Sequence, residues 1–102
     1  MNEFNLQQIQ LIDPLLLKTA RVATRLGREG FANMVGASVP TIKNLESRKE
    51  AIQSVRHSTL ANILECLSDR GIELGIKQEP DGGVLYSVTW KASPAKAKVR
   101  KA

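Results

Sequence analysis

The stretch GREGFANMVGASVPTIKNLESRK, residues 27–49, decides the fold of this 102-residue chain. It contains two short apolar patterns with helical spacing, separated by the small residues Gly36, Ala37 and Ser38. Each pattern would make barely two turns of helix, and helices shorter than about a dozen residues are marginal in water. We therefore expect the two helices to pack against each other across a tight turn and to share a core with neighbouring helices.

Helical patterns flank this stretch on both sides. Asp13 and Pro14 are typical of a helix start, with Asp as the N-cap and Pro at the first helical position, and the first predicted helix ends near Gly27. The second predicted helix covers residues 28–35. The third is capped by the Ser38 side chain. Together these patterns predict three consecutive helices within residues 13–45.

The second half of the helical region contains a predicted loop and a longer helix. The sequence SRKEAIQS, residues 47–54, has no clear apolar period and is predicted as a loop that ends at Ser54. Ser54 is the predicted N-cap of the fourth helix, which runs through RHSTLANILECLSD and stops at Gly71.

After Gly71 the apolar period changes from about 3.6 residues to 2, which is typical of strands. The two alternating runs are separated by the turn sequence EPDGG, so they predict a β-hairpin with one apolar face. An isolated hairpin is marginal in water, so this face either covers the chain's own helices or meets the same face of a second copy. We expect much of it to lie at a two-fold interface. The predicted dimerisation residues are Ile72, Leu74, Ile76, Val84, Tyr86, Val88 and Trp90.

The charge is unevenly distributed along the chain. The formal net charge is +5, and residues 21–56 carry seven basic against three acidic side chains, while residues 91–102 carry five basic and no acidic side chains. Concentrated basic charge is typical of a protein with a polyanionic partner, although a solvated surface has the same composition. We divide the chain into an N-terminal arm (1–12, strand or short helix), a helical domain (13–71), the hairpin (72–90) and a basic flexible tail (91–102).

The composition argues against several function classes. The chain has one Cys and one His, no Gly-rich phosphate loop and no clustered carboxylates, so we expect no enzyme, no cofactor and no metal site. The N-terminus lacks a basic segment and a cleavage site of a signal peptide, and no apolar run approaches the roughly 20 residues of a membrane span. We expect a cytoplasmic protein without a membrane partner.

The sequence FANMVGASVPTIKNLE, residues 31–46, resembles the helix-turn-helix of the Cro/CI-type family of phage and bacterial repressors, also called the xenobiotic-response-element family. The resemblance covers roughly residues 13–71. It implies a mainly α fold, with a four-helix lambda-repressor-like DNA-binding domain followed here by a C-terminal β-hairpin. The hairpin stands where the family has a fifth helix, which is similar to antitoxin-like and mobile-element regulators. In a helix-turn-helix the second helix enters the DNA major groove.

The resemblance also implies roles for individual residues. Arg28 takes the position of a phosphate clamp, where the family commonly has Gln, and a guanidinium suits that role. On the exposed face of the third helix, side chains can pair with adenine or guanine or pack on a thymine methyl, and others suit phosphate contacts. The implied DNA-binding residues are Arg28, Ser38, Val39, Pro40, Thr41, Lys43, Asn44, Arg48 and Lys49.

Arg21 and Glu46 occupy family positions that form a partly buried ion pair, and we expect the same pair to hold the third helix against the first. The function implied is a homodimeric, sequence-specific regulator of transcription, most simply a repressor that binds an inverted repeat in double-stranded DNA. The alternative is the antitoxin of a toxin–antitoxin pair, which would bind both its operator and a toxin protein. An adaptor that had lost DNA binding would instead carry neutral or acidic residues on the third helix.

Overall fold

The computed structural model describes residues 11–91, which form helices followed by a hairpin. The element bounds are α1 Pro14–Thr24, α2 Arg28–Val35, α3 Val39–Leu45, α4 Lys49–Ser54, α5 His57–Asp69, β1 Ile72–Gln78 and β2 Val84–Trp90. The predictions for residues 1–10 and 92–102, which include most of the arm and of the tail, lie outside the described residues.

The helices enclose one hydrophobic core, to which every helix contributes. At the start of α1 the Asp13 carboxylate accepts a hydrogen bond of 2.8 Å from the Leu15 N–H, as expected of an N-cap. The core extends to the first strand of the hairpin. Its buried apolar members are Ile12, Leu16, Leu17, Ala20, Phe31, Ala32, Val35, Ile42, Leu45, Ile52, Leu60, Ile63, Leu64, Leu67, Ile72 and Leu74.

The described region has five helices, so the expectation of four helices with a loop at residues 47–54 is wrong. Lys49–Ser54 is a six-residue helix that buries Ile52. Ser54 does not cap the next helix, because its hydroxyl donates back to the Glu50 carbonyl at 2.8 Å. The N-cap of α5 is Arg56, without a side-chain hydrogen bond. A serine that bonds four residues back is satisfied inside its own helix and cannot start another.

The predicted hairpin is present, with β1 and β2 antiparallel and Ile72 opposite Trp90. Leu74 faces Val88, and Ile76 faces Tyr86, so these apolar side chains share one face. That face packs on α1 and α5 of the same chain. The sequence left open whether this face covers the chain's own helices or meets a second copy. In the structure the chain's own helices cover this part of the hairpin.

The hairpin is buried unevenly from one end to the other. Ile72 is 1% and Leu74 6% exposed within the single chain, so these two predicted dimerisation residues belong to its core. Half-buried side chains follow along the same face, namely Ile76, Val84, Tyr86 and Val88. Trp90 is 52% exposed. Dimerisation through the remaining residues stays a prediction.

Candidate nucleic-acid interface

The connection between α2 and α3 consists of three residues, each with a defined role. Gly36 ends α2 with a φ of 74°, a left-handed conformation that favours glycine. The Ala37 N–H donates to the Ala32 carbonyl at 2.9 Å, which completes the end of α2. Ser38 is extended and its hydroxyl accepts a hydrogen bond from the Thr41 N–H at 3.2 Å. The turn is tight because a left-handed residue and an N-cap are separated by one alanine.

Helix α3 has one buried and one exposed side. Ile42 and Leu45 are 1% and 2% exposed, and both lie in the core. The opposite side carries the residues for which the resemblance implied base contacts, and all four are exposed: Val39, Pro40, Lys43 and Asn44. Within residues 11–91, the Lys43 and Asn44 side chains make no hydrogen bond or ion pair with the protein. They are therefore available to an external ligand.

The expected Arg21–Glu46 ion pair is present and is bidentate. The Arg21 Nε lies 2.6 Å from Glu46 Oε2, and Arg21 Nη2 donates to Glu46 Oε1 at 3.1 Å. The Glu46 side chain is only 2% exposed and that of Arg21 11%. Arg21 Nη1 also donates to the Leu26 carbonyl at 3.0 Å. One arginine thus connects α1, the α1–α2 connection and the end of α3.

Arg28 differs from the free phosphate clamp that the resemblance implies. Its Nε donates to Glu46 Oε1 at 3.2 Å, so Arg28 is a second cation on the same carboxylate. Its side chain is 38% exposed, and within the described chain its two terminal nitrogens have no hydrogen-bond partner. The contact fixes the guanidinium through Nε and leaves the outer nitrogens for a phosphate. One carboxylate and two guanidinium groups keep the cluster net positive.

The remaining predicted DNA-binding residues lie at the two ends of α3. Ser38 and Thr41 are joined by their hydroxyl groups at 2.8 Å, so both side chains are occupied in capping the helix. Arg48 is the N-cap and Lys49 the first residue of α4, and both are exposed. The Arg48 N–H donates to the Asn44 carbonyl at 2.9 Å, which places Arg48 directly after the last turn of α3.

Two residues of α5 contact the end of α2 and were not found from the sequence. The Asn62 side-chain amide donates to the Val35 carbonyl at 2.6 Å, and the Cys66 thiol lies 3.7 Å from the Met34 carbonyl. Both carbonyls belong to the last turn of α2, where no further helical N–H can satisfy them. The partners are separated by 27 and 32 positions, so no local pattern could indicate them.

The α1–α2 connection carries a second feature that the sequence did not indicate. Arg25, the C-cap of α1, has a φ of 68° and a ψ of 17°. Its guanidinium carbon lies 5.8 Å from the centroid of the Trp90 ring, within range of a cation–π interaction. The last residue of the hairpin thus contacts the connection that leads into Arg28.

Two other kinds of feature are absent from the described part of the chain. Among residues 11–91 no group of three or more His, Cys, Asp or Glu side chains could hold a metal ion. No helix in this range has the length and apolar character needed to cross a membrane.

The resemblance to Cro/CI-type regulators stays a prediction based on residues 31–46 and on the arrangement of α2 and α3. No family model matches the chain, and comparisons with curated proteins and with solved structures found no match.

Proposed function

We propose that this protein is a sequence-specific, double-stranded DNA-binding regulator of transcription, in which α3 lies in the major groove. The observation that carries the proposal is the two-sided character of α3. Ile42 and Leu45 fix the helix in the core, while the exposed Lys43 and Asn44 have no partner within the described chain. A short helix held rigidly with unpaired polar side chains outward can present them to base edges at a defined geometry.

The chemistry of the exposed side suits base contacts. An Asn amide can donate to and accept from adenine in the major groove, and a Lys ammonium can donate to guanine. Val39, 37% exposed at the first position of α3, offers an apolar surface for a thymine methyl. Pro40 adds a rigid apolar surface beside it. Each good contact would discriminate against a wrong base by about 1–3 kcal/mol.

Positively charged residues near the end of α3 would position the helix on the phosphates. Arg28 lies at the start of α2 with its outer nitrogens unpaired, and Arg48 and Lys49 follow α3 directly. Phosphate contacts fix the orientation of a protein on DNA without carrying sequence information. Such contacts beside the end of α3 would hold the helix in register with the bases.

The proposal includes a homodimer that binds an inverted repeat and represses by occupying its operator. A two-fold axis would place two copies of α3 about 34 Å apart, one turn of DNA. The partly exposed part of the hairpin, from Ile76 to Val88, is available for the contact between copies. The dimer is required because one helix of seven residues contacts too few base pairs for a unique site.

The experiment that tests this function is selection of bound duplexes from a random DNA pool, using the full chain. The expected result is enrichment of an inverted repeat whose half-sites are centred about one helical turn apart. A parallel selection with the Lys43→Ala and Asn44→Ala double variant provides the matched control, since it should retain duplexes without enriching the repeat. A wild-type pool that stays random after several rounds would contradict sequence-specific binding.

A further inference from the structure

We propose that Arg25 is an additional phosphate-binding residue of this interface and that Trp90 is the positioning residue that orients it. The ligand is a phosphodiester group of the DNA backbone. The inference rests on the proposed DNA-binding function and adds two residues to which neither the sequence pattern nor the resemblance assigned a DNA contact.

The first observation is the backbone of Arg25. Among residues 11–91 it is the only non-glycine residue with a positive φ, 68°. Glycine adopts this left-handed conformation without a steric penalty, and Asn or Asp can stabilise it by local hydrogen bonds. Arginine has neither property. A non-glycine residue in this conformation is uncommon, and such outliers cluster at functional sites.

The second observation is the environment of the Arg25 side chain. The guanidinium lies over the Trp90 ring at 5.8 Å from the centroid, and both residues are exposed. Stacking on an aromatic ring restricts the guanidinium while its N–H donors remain free at the edge. Within the described region these donors have no hydrogen-bond or ion-pair partner. A restricted guanidinium with free in-plane donors matches the geometry of a phosphate.

The third observation is the position of Arg25 in the chain. It precedes Arg28 by three residues, so their Cα atoms lie within about 11 Å of each other. The hydrogen bond from Arg21 to the Leu26 carbonyl, 3.0 Å long, fixes the connection between them. Arg28 in turn contacts Glu46, the C-cap of α3, so Arg25 adds to the basic residues near this end of the helix. The hairpin reaches the interface through Trp90.

The test is the affinity of the full-length Arg25→Gly variant for a labelled duplex of random sequence at several salt concentrations. Glycine accepts the left-handed backbone, so the variant should melt at or above the wild-type temperature. Loss of one phosphate contact should reduce the salt slope by about 0.9, and affinity at 0.1 M salt should fall about eightfold. Arg70→Ala is the matched control, since Arg70 is exposed at the end of α5 with a negative φ, and it should leave the slope unchanged.

A second variant, Trp90→Leu, tests the positioning role. It should lower affinity less than Arg25→Gly does, and it should have no further effect when combined with Arg25→Gly. A full Trp90→Leu effect in the glycine background would overturn the positioning role.

The outcomes separate the inference from the proposed function. If the wild type binds DNA and Arg25→Gly binds with the same affinity and slope, the inference is wrong and the function stands. If Arg25→Gly loses affinity only together with its melting temperature, Arg25 is structural and the inference is also wrong. Absence of DNA binding by the wild type would overturn both.

Discussion

Replacing Glu46 by alanine should destabilise the protein more than any other single change of a charged side chain in the described region. The substitution removes a carboxylate that accepts three hydrogen bonds, at 2.6, 3.1 and 3.2 Å, from Arg21 and Arg28. Its side chain is 2% exposed, and that of Arg21 is 11% exposed, so the Arg21 charge would remain buried without a counterion. Leaving one partner of a buried pair uncompensated costs about 3–5 kcal/mol.

The contribution of Arg28 to this cost is small. Its side chain is 38% exposed, and an ion pair open to solvent contributes about 1 kcal/mol or less. The expected loss for Glu46→Ala is therefore about 3 kcal/mol, which comes mainly from Arg21. For a domain of this size, each kcal/mol lowers the melting temperature by about 4–8 °C, so the decrease should be about 12–24 °C.

The assay is thermal and urea denaturation followed by circular dichroism at neutral pH. Glu65→Ala is the matched control, because Glu65 is exposed on α5 and its replacement removes the same charge. The stability of this control should stay within about 0.5 kcal/mol of the wild type. If Glu46→Ala melts at the temperature of Glu65→Ala, the ion pair does not hold α3 against α1.

Three further predictions concern the turn, the hairpin and the cysteine. Gly36→Ala should cost about 1 kcal/mol in urea denaturation, because the φ of 74° at Gly36 is unfavourable for a residue with a Cβ; an unchanged midpoint would contradict this. Burial, and secondly the charge of Asp13, raises the pKa of the Tyr86 hydroxyl, which donates to the Leu11 carbonyl at 2.6 Å. The stabilisation from this shift is complete below the ordinary tyrosine pKa of about 10. It is lost as pH rises through the raised pKa. The stability of the wild type should therefore fall more steeply in alkali than the stability of Tyr86→Phe. Burial, followed by the charges of Asp69 and Glu65, raises the pKa of the Cys66 thiol. Alkylation of this thiol at pH 8 should therefore be slower in the native protein than in urea. Equal rates would contradict the packing of Cys66.

The predictable parts of the fold were those with local signals. Asp13 and Pro14, the apolar period of α2, and the Gly36–Ser38 turn together predicted the first three helices. The change of period after Gly71 predicted the hairpin. These signals work because caps, turns and periodicity depend on residues only a few positions apart.

The missed features have physical reasons of two kinds. Helix α4 has only six residues and one buried side chain, Ile52. A segment of this length is too short to show a helical period of apolar residues. The other misses are long-range: the hydrogen bond of Asn62 to α2, the contact of Arg28 with Glu46 and the stacking of Trp90 on Arg25. Such contacts depend on how elements pack, which the sequence does not encode locally.

The exposure of one side of α3 was predictable from residue spacing, but the role of that side was not. Burial of Ile42 and Leu45 follows from their spacing, and this leaves Lys43 and Asn44 outward. The prediction that these two side chains contact bases came from the resemblance, and the structure adds only that both are exposed.

The central claim is that α3 discriminates between base pairs through Asn44 and Lys43. Its most direct test is the affinity of the wild type and of Asn44→Ala for the selected duplex, for its single base-pair variants and for a random duplex. We predict that Asn44→Ala loses about 1–3 kcal/mol on the selected duplex, at one base pair in each half-site, and binds random duplex as the wild type does. Gln53→Ala, which removes an exposed amide from α4, should leave all these affinities unchanged. An equal loss on selected and random duplexes would show that Asn44 does not discriminate bases and would contradict the assignment of α3 as the recognition helix.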